Sequence, residues 1–68
     1  MAAEKLTAAI EARGIKQKFI ADKLGISESA LSAMLKGRQK IDIDTFFGIC
    51  SLLQMTPDEI YAFRRDEI

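Results

Sequence analysis

The chain has 68 residues, with 49% hydrophobic residues, 29% charged residues and a formal net charge of zero. This length allows one domain, and no apolar run reaches the roughly 18 residues that a membrane-spanning helix needs. With no histidine and one cysteine, the sequence has no zinc-ligand set, no imidazole base and no internal disulfide, so we predict no metal, no cofactor and no catalytic residue.

Two short helices are predicted at the start of the chain. The first spans residues 3–13, where apolar residues recur at helical spacing, and Gly14 ends it. The second spans residues 17–24 and ends at Gly25, which can adopt the left-handed conformation of a helix C-cap. The apolar positions that define these helices are Leu6, Ala9, Ile10, Ala12, Ile20, Ala21 and Leu24.

A third helix follows over residues 28–36, with Ser27 as its N-cap and Gly37 as its end. Its inward positions are Leu31, Met34 and Leu35. Because few residues separate it from the second helix, and the first of them is a glycine, the two helices should cross steeply.

The fourth helix is predicted over residues 44–53, capped by Asp42 or Asp44. It is apolar on nearly every side, which predicts the buried centre of the fold. The alternating IDID before it could also be a strand, but four residues without a partner are weak evidence.

The fifth helix is predicted over residues 57–65 by a strong local signal. Thr56 is the N-cap, Pro57 is the first helical residue and Glu59 completes a capping box. The sequence thus predicts one all-α domain over residues 1–68, made of five short helices.

The spacing of helices two and three resembles one family closely. The string IKQKFIADKLGISESALSAMLKG, residues 15–37, resembles the helix-turn-helix of the phage repressor and Cro family, also called the Xre family. Gln17 opens helix two, Ala21 lies where the helices touch, and Gly25 forms the turn. The later DTFFGICSLLQMTPDEIY resembles the family's fourth helix and the start of its fifth. The resemblance implies a lambda-repressor-like fold and a transcriptional regulator that binds double-stranded DNA.

The resemblance also implies that helix three enters the major groove while helix two lies across the DNA backbone. The residues that then face the bases are Ser27, Glu28, Ser29, Ser32 and Ala33. A glutamate can accept a hydrogen bond from a cytosine amino group, serines can bond to any base, and alanine can touch a thymine methyl group. The alternative is that Glu28 only favours the positive end of the helix and the serines are solvated.

Phosphate contacts would supply most of the affinity. Residues 1–40 have a charge balance of +4 and residues 41–68 a balance of −4, so a polyanion would meet the first part, although ordinary solvated charges give the same count. The expected phosphate-contacting residues are Lys16, Gln17, Lys18, Lys36, Arg38, Gln39 and Lys40.

One such module buries little DNA surface, so we expect a homodimer on two half-sites. The apolar residues near the C-terminus predict the dimer contact at Ile60, Tyr61, Phe63 and Ile68.

Many family members carry an Arg in helix one and a Glu in helix three that pair inside the fold. Ile10 and Leu35 stand at those positions here, which avoids burying two charges. We expect Phe19 to cover the contact between them.

Two other functions fit the same residues. An antitoxin would bind both DNA and an unrelated toxin protein, and a protein-interaction module would keep the fold without binding DNA. The sparse reading face and zero net charge favour the latter. The N-terminal residues lack the basic start and apolar centre of a secretion signal, so we expect a cytoplasmic protein.

Overall fold

The computed structural model describes the backbone of residues 2–64 and the side chains of residues 3–64. Within this range the fold is all-helical, as predicted. The five helices are α1 (Ala2–Arg13), α2 (Gln17–Leu24), α3 (Glu28–Leu35), α4 (Ile43–Leu53) and α5 (Pro57–Ala62). No helix of residues 2–64 is long and apolar enough to cross a membrane.

The fifth helix is shorter than predicted, because it ends at Ala62 and not at residue 65. Phe63 has an extended conformation, with φ −64° and ψ 133°, and its N–H donates to the carbonyl of Ile60. The Phe63 carbonyl accepts a hydrogen bond from Lys5 Nζ at 2.8 Å. Because Lys5 belongs to α1, this bond connects α1 to the residue at which α5 ends.

The turn between α2 and α3 depends on Gly25. Its φ of 71° lies in the left-handed region, and its N–H donates to the carbonyls of Ala21 and Asp22. The Ile26 N–H also donates to Ala21, at 3.1 Å. A β-carbon on Gly25 would meet nothing within 4 Å, so the backbone conformation, and not crowding, requires glycine.

Side chains cap the helices where the sequence predicts caps, with one difference. The Ser27 oxygen accepts from the Ala30 N–H at 3.0 Å, and Thr56 and Glu59 form the predicted capping box. Asp42 occupies the N-cap of α4, but its carboxylate accepts from the Thr45 hydroxyl in place of a regular N-cap bond. The hydroxyl bond lowers the pKa of Asp42 below its ordinary value.

The core lies among all five helices. Helix α1 packs against α3, α4 and α5, whereas α2 packs against α3 and α4. The buried cluster consists of Leu6, Ala9, Ile10, Ile20, Ala21, Leu31, Leu35, Ile49, Cys50, Leu53 and Ile60. Ala12, which the spacing placed with the inward residues of α1, is exposed.

Helix α4 is not buried on every side, contrary to the prediction. Ile49, Cys50 and Leu53 face the core, but Ile43 is 67% exposed and Phe47 is 50% exposed. One apolar face of this helix therefore lies on the surface. Burial raises the pKa of the Cys50 thiol, which packs in the core as a small apolar side chain.

Ile10 and Leu35 both lie in the core, as expected, but Phe19 does not cover them. Phe19 is 48% exposed and is not among the residues packed against the core. Its ring lies beneath Lys23, whose Nζ is 5.5 Å from the ring centroid. The expectation was wrong because position 19 faces outward while its neighbour Ile20 is fully buried.

Candidate nucleic-acid interface

A shallow open groove lies along the outer face of α3. Four of the five residues expected to face bases and three of those expected to contact phosphate line it together. The lining residues are Gln17, Glu28, Ser29, Ser32, Ala33, Lys36 and Arg38. The structure thus assembles seven residues from α2, α3 and the following turn into one surface.

The helical period of α3 explains this arrangement. Leu31, Met34 and Leu35 are buried on one side of the helix. Ser29, Ser32 and Ala33 therefore lie on the opposite side, and their short side chains leave the groove shallow. Ala21 is 1% exposed where α2 meets α3, and its carbonyl accepts from the turn, so the two helices are joined at close range.

Helix α1 contacts the C-terminal end of α3. The Thr7 hydroxyl lies 2.9 Å from the Ala3 carbonyl and 3.3 Å from the Leu35 carbonyl. Because Leu35 is the last residue of α3, this bond reaches one of the carbonyls that the helix itself leaves without a partner.

Ser27 differs from the other residues expected to face bases. Its side-chain oxygen accepts the cap bond from the Ala30 N–H, and it does not line the groove. Its observed role is to begin α3 and to place Glu28 at the first helical position.

The residues expected to contact phosphate lie in three places. Lys36 and Arg38 line the groove with Gln17. Arg38 also lines a neighbouring hollow, together with Gln39 and Lys40, beside the start of α1. Lys16 and Lys18 are exposed at the start of α2 and line neither surface. No ion pair within residues 2–64 neutralises any of these cations, so their charge faces solvent.

The residues expected at a dimer contact differ in how far they are buried. Ile60 is fully buried in the monomer core, so that assignment is corrected: it cannot contact a second chain. Phe63 is half-buried against the core, Tyr61 is 58% exposed, and Ile68 lies outside the described residues.

Sequence reasoning missed a larger exposed surface next to Tyr61, which we name the apolar patch. It consists of Ile41, Ile43, Phe46, Phe47 and Tyr61. The Phe46 ring is 5.7 Å from that of Phe47 and 6.2 Å from that of Tyr61, centroid to centroid. The available signal was that α4 carries more apolar residues than one side of a short helix can bury.

Comparison with known proteins agrees with this geometry. A family model described as helix-turn-helix (HTH_3) matches residues 6–60, which includes all of α2, α3 and α4. No curated protein and no solved structure shows a significant match.

Proposed function

The chain belongs to the Cro/C1-type helix-turn-helix family, also called Xre, with a lambda-repressor-like fold, and from this we propose that it is a sequence-specific regulator that binds operator DNA as a homodimer. The family is one of DNA-binding regulators. The groove on α3 supports sequence-specific binding, because neutral polar, acidic and basic residues lie side by side in it.

In this proposal α3 lies in the major groove and presents Ser29, Ser32 and Ala33 to base edges. Serine hydroxyls can donate or accept, and the Ala33 methyl group can contact a thymine methyl group. The shortness of these side chains lets the helix backbone approach the bases closely. Glu28 lies at the leading end of the helix, and Ser27 acts as its cap and not as a base contact.

Phosphate contacts flank the reading face. Gln17, the first residue of α2, and Lys36, just after α3, lie at the same groove, so they can contact DNA that occupies it. Arg38 connects this groove to the hollow that holds Gln39 and Lys40. Lys16 and Lys18 would add longer-range attraction, because they are exposed and unpaired within residues 2–64.

The apolar patch is the surface that supports a homodimer. Ile43, Phe47 and Tyr61 are each at least half exposed, and three neighbouring apolar residues of this size are more than isolated surface residues explain. A second copy would cover them, and two modules could then bind half-sites about one helical turn apart. Of the residues expected at the dimer contact from sequence, Tyr61 belongs to this patch, whereas Phe63 packs against the core.

The proposal is tested by titrating the protein against mixed-sequence duplex DNA at two ionic strengths. Affinity should fall as salt rises, because phosphate-bound cations release counterions. Absence of binding at low salt would contradict DNA binding and would favour a protein-interaction module that uses the apolar patch.

A further inference from the structure

Glu28 is the acidic residue in a groove whose other lining residues are neutral or basic. It is exposed at the first position of α3 and forms no ion pair within residues 2–64. Lys36 and Arg38, which could neutralise it, lie beyond the opposite end of the helix. The carboxylate is therefore available to a ligand that enters the groove.

A carboxylate can only accept hydrogen bonds, and this restricts the base it can face. In the major groove guanine presents two acceptors, and thymine presents an acceptor and a methyl group. Adenine presents an amino group beside the acceptor N7, which would repel a carboxylate. Cytosine presents its N4 amino group as a donor without a neighbouring acceptor on the same base.

We propose that Glu28 selects cytosine at one position of each half-site by accepting a hydrogen bond from the N4 amino group. This inference rests on the proposed DNA-binding function and identifies the residue that determines its specificity. The remaining reading residues, Ser29, Ser32 and Ala33, have short side chains with little discrimination of their own. Selection is then concentrated at Glu28, which also repels phosphate and so weakens binding to sites without the cytosine.

A competing explanation is that Glu28 serves only the stability of α3, since an acid in the first turn interacts favourably with the helix dipole. That role would make DNA affinity independent of the base opposite Glu28. The two explanations therefore predict different responses to a chemical change confined to cytosine.

The experiment first selects bound sequences from a random DNA pool and then replaces each conserved cytosine by N4-methylcytosine. The methyl group replaces the groove-facing amino hydrogen while pairing with guanine is retained. At one cytosine per half-site, wild-type protein should lose about tenfold in affinity. Glu28→Ala should be insensitive to the methyl group at that same position. Glu28→Gln should shift its preference to adenine, because an amide can both donate and accept.

Thermal denaturation of both variants separates this effect from loss of fold. A contrary result would be specific sites at which Glu28→Ala responds to N4-methylation of every cytosine as the wild type does. In that case the role of Glu28 is wrong, while DNA binding stands. If no DNA is bound at low salt, the proposed function fails and the inference fails with it.

Discussion

Gly48 of α4 lies directly against the side chain of Leu24 of α2, so close that a β-carbon on Gly48 would be 2.6 Å from Leu24 Cδ2. The neighbouring atom is the tip of a flexible side chain, which can move at a cost of about 0.5–1.5 kcal/mol. Alanine also gains about 1 kcal/mol of helix propensity over glycine. We expect Gly48→Ala to change the free energy of unfolding by less than about 1 kcal/mol.

Chemical denaturation measures this change in the free energy of unfolding. The control is the same substitution made in a Leu24→Ala protein. With Leu24 truncated, Gly48→Ala should stabilise by up to about 1 kcal/mol, because only the propensity gain remains. Equal effects in both backgrounds would show that Leu24 does not limit the space at Gly48.

Lys36 and Arg38 should contribute to DNA binding through phosphate. Replacing either by alanine should weaken binding to all sequences and reduce the slope of log affinity against log salt by about 1. The matched control is Lys23→Ala, which removes a cation held over Phe19 and outside the groove. A slope that changes equally in Lys23→Ala would mean that net charge, and not position, governs binding.

The apolar patch should control self-association. Phe47→Ser should weaken the proposed dimer by about tenfold or more in sedimentation equilibrium, because it removes a half-exposed aromatic ring from the patch. Phe19→Ser is the control, since Phe19 is almost as exposed, at 48% against 50%, but lies on α2 and does not line the patch. Self-association that Phe47→Ser leaves unchanged would move the dimer contact elsewhere.

Ser27 should matter for stability and not for base recognition. Ser27→Ala removes the cap bond to Ala30 and should cost about 1 kcal/mol of stability. Ser27→Thr retains a capping hydroxyl and should cost less. For folded protein, measured well below the melting temperature, the sequence preference of Ser27→Ala should match that of the wild type. A changed sequence preference would show that Ser27 also takes part in base recognition.

The pair Asp42 and Thr45 should make stability depend on acid pH. The hydroxyl bond lowers the pKa of Asp42 in the folded state, so its stabilising effect is present above the unfolded-state pKa and is lost as pH falls through the folded-state value. Thr45→Val, which cannot donate, should reduce the loss of unfolding free energy below about pH 4. Thr45→Ser should retain this pH-dependent loss of stability. If stability falls with pH in the same way in Thr45→Val and Thr45→Ser, the hydroxyl bond to Asp42 is not its cause.

Local signals in the sequence were sufficient for most of the helical framework. Gly25 and the caps at Ser27 and Thr56 are short-range features, whose geometry depends on residues at most a few positions away. The outward side of α3, where we propose the base contacts, follows from the helical period and the apolar positions Leu31, Met34 and Leu35.

Positions that depend on tertiary packing were harder to predict. Composition alone does not say which side of the largely apolar α4 is buried, so the exposure of Ile43 and Phe47 was missed. Ile60 and Tyr61 are adjacent and both apolar in character, yet one is fully buried and the other exposed. Phe19 was expected to cover Ile10 and Leu35 for the same reason, because hydrophobicity does not fix direction on a two-turn helix.

The contact between the Thr7 hydroxyl and the Leu35 carbonyl connects α1, which carries none of the proposed contact residues, to the helix that we propose reads the bases. Because α1 packs against α3 and contacts its C-terminal end, a shift of α1 would change the orientation of α3. In the proposed complex, α1 therefore influences how α3 lies on the DNA without contacting the DNA itself.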